Sequence, residues 1–345
     1  MIKPKRLQKG DKVAAVSLSS GLVGEVPYRY EIGKRQILET FGIEVVEMRN
    51  TLKNIQWIYE NPEARAEDLM QAFEDKSIKG IFSTIGGEDS IRILPFIDFD
   101  IIKNNPKVFL GYSDSTITHF ICNNAGLTSF YGPSILANLS ENQGILRYTA
   151  SYMKKALFGS TPIGIIEPAK KWTDEYLDWF NPENQKIKRV LRKPFGRKLL
   201  QGKGKIKGHL LGGCVQVLHM IIGTELWFSL DRWDGAILFL EISESELPER
   251  FFKYFLRNLA ASKILEKINA IIFARPGGQR NDEELVMYDK ILLDIISNEY
   301  GLSTLPILAQ MDFGHTDPVF TIPYGVMAEL DCDNQSFSII EAGVV

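Results

Sequence analysis

Short apolar runs alternate with amphipathic segments through the first third of the chain. Val13-Ala14-Ala15-Val16, inside 12–18, is continuously apolar, the pattern of a strand buried on both faces. Residues 28–41 instead space their apolar positions as a helix does, and stop at Gly42. The pattern next predicts a strand over 43–46 and a helix over 62–75, with Pro62 in its first turn. A strand over 78–85 ends in Gly86-Gly87, followed by a short helix over 101–105 and a strand over 107–110. Alternation of this kind predicts a mostly parallel sheet covered by helices. In such sheets functional groups gather beyond the carboxyl ends of the strands, where Gly86-Gly87 and the residues after 110 fall.

The texture changes near residue 160. Residues 162–207 are rich in Pro, Lys, Arg and Trp and weakly periodic, which reads as a linker with a long loop. Beyond it, 208–212 leads into a helix over 214–222. Strands are expected over 236–241, 268–273 and 305–310, and helices over 247–262 and 282–298. Residues 326–340 alternate apolar and polar positions around Asp333-Asn334, the signature of a hairpin. The expectation is α/β throughout. An N-terminal parallel-sheet domain spans 1–160, a connection 161–207, and a C-terminal mixed α/β domain 208–345.

Composition narrows the function classes. A chain of 345 residues, 45% hydrophobic and 24% charged, has room for two ordinary globular domains. A net charge of −3 gives no general attraction to nucleic acid or membrane. Cys122, Cys214 and Cys332 are far apart and form no Cys-x-x-Cys pair. Neither a structural zinc site nor a disulfide framework is expected, and a reducing, cytoplasmic setting fits. The charged N-terminal segment does not read as a signal peptide. The apolar stretch 211–228 is interrupted by Gln216, His219, Thr224 and Glu225, so it does not read as a membrane span.

The chemistry centres on Gly111-Tyr112-Ser113-Asp114-Ser115, between the strand at 107–110 and a helix beginning at Thr116. A serine on a strand-to-helix turn can present its hydroxyl above a sheet, with helix N–H groups behind it. The same residues also suit a plain helix N-cap, and the spacing is not that of a Gly-x-Ser-x-Gly elbow. A nucleophilic serine needs a base. Of four histidines, His119 points to another face of the helix after Ser113, His219 sits among apolar residues as a core histidine would, and His209 stays open. His315 is best placed, in a Gly- and Asp-rich loop after the strand 305–310. For the acid, Glu241 closes an apolar strand, with Asp312 and Asp317 as rivals. Asp114 N–H, Gly86 and Gly87 are candidate oxyanion donors, although Gly-Gly is also what a tight turn uses. Walker, dinucleotide-binding and His-Glu-x-x-His patterns are absent. Residues 186–207 hold ten Lys or Arg, either a solvated loop or a patch for an anionic group. Just before them, the aromatic run 172–181 reads as a local core or a stacking surface.

Taken in order, several segments resemble the LD-carboxypeptidase family of serine peptidases (S66). They are 83–87, 94–98, 105–107, 111–114, Gly212-Gly213, Gly223-Thr224, 240–244 and Gly314-His315. The long loop with Asp174-Glu175 and Trp179-Phe180-Asn181 is most similar to the microcin C self-immunity branch. The resemblance implies a nucleophile at Ser113, an acid at Glu241 and a base at His315. It implies an oxyanion hole at Gly87 and Asp114, and substrate contacts from Trp179, Gly86 and Glu244. It further implies a site between the two domains, a homodimer, and no metal or organic cofactor. The expected substrate is a small peptide-like molecule with a free carboxylate, or an aminoacyl nucleotide whose amide is cut. Removal of a terminal D-alanine from a muropeptide is the alternative, and a non-catalytic binding protein is the rival of another class. Cys214 departs from the Asn that the resemblance leads one to expect after Gly-Gly.

Overall fold

A computed structural model describes residues 1–194, 196–245 and 248–345. Its N-terminal sheet is built from β1 (Lys12–Val16), β2 (Glu44–Glu47), β3 (Ile78–Ser83), β4 (Val108–Gly111) and β5 (Phe130–Tyr131). These five run parallel, in the order β5-β4-β3-β1-β2. The near-continuous burial of β1, β3 and β4 explains their uninterrupted apolar sequences. Helices Pro27–Phe41 and Pro62–Glu74 flank the sheet, the first ending at Gly42 with φ 71°.

The second sheet contains β6 (Gly164–Ile165), β7 (Lys198–Gln201), β8 (Lys205–Cys214), β9 (Ala236–Glu241), β10 (Ala270–Ala274) and β11 (Ile307–Met311). A two-residue β12 (Ile322–Pro323) follows, then the hairpin β13 (Met327–Asp331) and β14 (Ser336–Ile339). The order is β6-β14-β13-β8-β9-β10-β11-β7, parallel from β8 to β11 and antiparallel outside. β12 leaves this sheet and pairs with β5, so the two halves share backbone hydrogen bonds.

The structure departs from the sequence pattern in the connection. β6, β7 and the start of β8 are strands, although 161–207 reads as loop. β6 and β7 are short edge strands, and the start of β8 carries exposed lysines at Lys205 and Lys207, so their apolar periodicity is faint. The helix expected over 282–298 is α-helical at Asp282–Leu293 and then widens into a π turn at Asp294–Glu299. The helix expected over 247–262 is seen at Glu249–Ala261, and Leu247 lies outside the described residues. Among the described residues, no helix is long and apolar enough to cross a membrane.

The connection is anchored at Trp172, which is 1% exposed. Its ring lies under two guanidinium groups, Arg192 at 4.1 Å and Arg275 at 5.1 Å from the centroid. Arg275 is itself buried and pairs with Asp312. Removing one member of a buried pair strands the other charge, which costs about 3–5 kcal/mol. Arg275→Ala should therefore lower the unfolding free energy by about that much in urea titration. A loss under about 1 kcal/mol would mean Asp312 finds another partner.

Candidate active site

Ser113 lies two residues beyond the end of β4, at the carboxyl edge of the N-terminal sheet. Its backbone adopts φ 62°, a left-handed conformation that side-chain-bearing residues seldom take. That bend lifts the hydroxyl off the sheet before the helix Thr116–Asn124 begins. Gly86 makes the bend possible from the other side. A Cβ there would sit 2.8 Å from Ser113 Cβ and 3.0 Å from its Oγ.

Glu241 ends β9 and His315 follows β11, both in the second sheet. Ser113 Oγ lies 3.0 Å from His315 Nε2, and His315 Nδ1 lies 2.6 Å from Glu241 Oε2. Close approach needs Gly314 (φ 81°), where a Cβ would meet Glu241 Cβ at 2.7 Å. The three side chains thus form one hydrogen-bonded series across two sheets. The rival acids are engaged elsewhere. Asp312 pairs with Arg275 and accepts from Ala169 N–H, while Asp317 accepts from Asn138 and Arg189.

Tyr131 completes the series, and nothing in the sequence pattern singled it out. Its Oη accepts from Ser113 N–H at 3.1 Å and donates to Glu241 Oε1. Burial, then the charge of Glu241, pushes the phenol pKa up, so the group remains a donor. Ser113 N–H is therefore committed to Tyr131, and any oxyanion donors must come from neighbouring residues.

The environment of His315 is mixed. Burial pulls its pKa down, but Glu241, then Glu244 and Asp317, raise it to about 8 overall, above the ordinary 6.5. Its side chain is 6% exposed, and the Tyr112 ring packs 4.9 Å away.

The other expected residues fall as follows. Asp114 is buried, and its carboxylate accepts from Ser19, Asp89 N–H and Ser90 N–H. It thereby holds the loop after Gly86-Gly87 against the turn of Ser113. Gly86, Gly87, Trp179 and Glu244 all line one cleft of about 490 Å³ that opens on Ser113 and His315. Trp179 is fixed by Tyr28, which donates to its carbonyl at 2.5 Å, and by Arg29, whose guanidinium lies 4.4 Å over the indole. Burial draws the Arg29 pKa down to about 10, so it stays charged near neutrality.

Of the remaining histidines, His119 is buried between Ser129 and the Gly111 carbonyl. Burial lowers its pKa to about 3. His209 reaches the Arg232 carbonyl. His219 is exposed rather than a core residue, because the helix Val215–Ile221 turns that position to solvent. Among the described residues, six of the ten basic residues over 186–207 are held in ion pairs. Lys186, Arg189, Arg192, Lys198, Lys205 and Lys207 each pair with a carboxylate. Cys214 is buried in register beside Glu241 and donates towards Gln216 Oε1. Among the described residues no cluster of three His, Cys, Asp or Glu is arranged for a metal ion.

A two-domain α/β protein with this site is a hydrolase by family. Residues 13–132 match the LD-carboxypeptidase N-terminal domain and residues 207–330 the LD-carboxypeptidase C-terminal domain. The chain belongs to that family. It is 29% identical to the microcin C7 self-immunity protein MccF of Escherichia coli, over 97% of this chain and 94% of that one. The crystal structure of an MccF-like protein from Streptococcus pneumoniae in complex with AMP superposes with a TM-score of 0.86. Its identity is 32%, and 95% and 98% of the two chains are covered. MccF in complex with glutamyl sulfamoyl guanosine gives a TM-score of 0.85 at 27% identity, with both chains fully covered.

The raised pKa links folding to pH. A histidine whose pKa is higher in the folded than in the unfolded chain stabilises fully below the unfolded value, about 6.5 here. That contribution, about 2 kcal/mol, is lost as pH rises through about 8. Denaturation followed from pH 6 to 9 should show this decline. Glu241→Gln should flatten it, and equal slopes in both proteins would reject the ion pair as its source.

Proposed function

We propose that this protein is a serine hydrolase that cuts the amide joining an amino acid to a nucleotide. The observation that carries the reading is the Ser113–His315–Glu241 series opening into a cleft walled by Trp179. His315 Nε2 takes the Ser113 proton as Oγ attacks the carbonyl carbon. Glu241 holds the ring in the needed tautomer and stabilises the imidazolium. Gly87 and Asp114 N–H groups receive the developing oxyanion. His315 then returns the proton to the leaving nitrogen. A water, deprotonated by the same imidazole, releases the acyl group from Ser113.

Trp179 offers an aromatic face to the base, its other face being covered by Arg29. The nucleotide-bound structures of the related MccF-like protein and MccF support this assignment. The homodimer and the cytoplasmic setting belong to the same reading.

The direct test is to incubate an aminoacyl sulfamoyl adenosine with wild type and Ser113→Ala and follow products by mass spectrometry. Wild type should release free amino acid, and the variant should be slower by roughly a thousandfold or more. An inert wild type would overturn the nucleotide reading, and a muropeptide tetrapeptide becomes the next substrate to assay. Trp179→Ala should raise KM about tenfold or more with little change in kcat, as expected for a lost stacking contact. Since His315 must be neutral to act as base, kcat/KM should rise with pH to a midpoint near 8.

A further inference from the structure

The cleft is unevenly charged at its reactive end. Its two arginines are already occupied: Arg189 by Glu141 and Asp317, and Arg29 by Asn142, Gln185, the Leu136 carbonyl and the Trp179 ring. Of its carboxylates, Asp174 pairs with Arg192, Asp317 with Arg189, and Glu175 accepts from Val190 N–H. Glu244 differs. Among the described residues it pairs with no lysine or arginine, and its side chain is 69% exposed in the cleft. Its Oε2 lies 3.3 Å from His315 Nε2, the nitrogen that also faces Ser113 Oγ at 3.0 Å.

Two consequences follow from that placement. First, the carboxylate stands one step beyond the attacking serine, on the imidazole it uses. A substrate carboxylate lodged there would meet like charge, whereas a cation would meet an unpaired anion. In an aminoacyl compound the α-ammonium is two bonds from the attacked carbonyl carbon, and so reaches the same neighbourhood. Second, an Nε2–H directed at Glu244 is unavailable to accept the serine proton.

We propose that Glu244 anchors the free α-ammonium of the aminoacyl substrate, and that this pairing turns His315 from Glu244 to Ser113. The proposal rests on the amide-hydrolase reading above and names the charge its substrate carries next to the scissile bond. When the ammonium pairs with Glu244, the proton on Nε2 passes to bulk water, and the freed lone pair accepts from Ser113 Oγ. The groups that set this equilibrium are Glu241 at the end of β9, Glu244 after it, Asp317 with Arg189 behind it, and Tyr112 from the opposite domain. Of these, Glu244 is the exposed carboxylate with no competing lysine or arginine, so substrate can neutralise it.

The test has two arms. In the first, the His315 imidazole signal is followed by NMR in the full chain as L-alaninamide or N-acetyl-L-alaninamide is added at pH 7. The ammonium form alone should shift the signal and lower its titration midpoint, and Glu244→Gln should abolish the difference. Equal responses to both amides, or discrimination that survives in Glu244→Gln, would overturn the proposal. In the second, kcat/KM is measured for an aminoacyl sulfamoyl adenosine and its N-acetyl counterpart. Wild type should favour the free amine by roughly tenfold or more, and Glu244→Gln should bring the ratio close to one. Cleavage of both compounds without preference would leave the hydrolase reading standing and remove the anchor. Discrimination between the amides with no cleavage of either nucleotide would do the reverse.

Discussion

Glu241 is fully buried, and a carboxylate in that position is tolerated only when its oxygens are satisfied. One oxygen faces His315 from its own sheet, and the other receives the Tyr131 hydroxyl from the opposite sheet. Tyr131 in turn accepts the backbone N–H of Ser113. The buried charge is therefore a junction between domains. If the two sheets moved apart, Glu241 would lose a donor, Ser113 N–H would lose its acceptor, and the serine would leave His315. The same hydrogen bonds that satisfy the charge fix the register of the site. β12 adds backbone pairing across the divide, immediately after the loop that carries His315.

A second constraint acts at Ser113 itself. The left-handed backbone is unfavourable for serine and persists because its surroundings leave no alternative. Gly86 allows the approach, Asp114 pins the neighbouring loop, and Thr116 Oγ1 donates to the Ser113 carbonyl at 2.7 Å. The strain and the exposed hydroxyl have the same origin, since the turn that costs free energy also aims the oxygen away from the sheet.

The long connection has a different task. Its ends are strands of the second sheet, and Trp172 roots it under Arg192 and Arg275. Its middle reaches back to the first domain, where Tyr28, Arg29 and Glu141 hold Trp179 and Arg189. Lysines and arginines that look in sequence like a field for anions are spent mostly on these and similar ion pairs. The cleft is left with a net acidic reactive end and an aromatic wall.

The alternation of buried strands and amphipathic helices was legible because burial on both faces imposes unbroken apolar runs, as in β1, β4 and β9. Ser113, Glu241 and His315 were legible as a set because each follows a strand's carboxyl end, and because their flanking motifs resemble those of one family. Edge strands β6 and β7 were not, since strands of two and four residues with no buried position are too short to display a period. Tyr131 was invisible because its role comes from a partner 110 residues away, and a tyrosine in a two-residue strand carries no local signal. The exposure of His219 was likewise a tertiary matter. Local sequence sets which elements form and which chemical groups sit at their ends. Only packing decides which carboxylate meets which cation, because a buried charge takes the partner that the fold brings within reach.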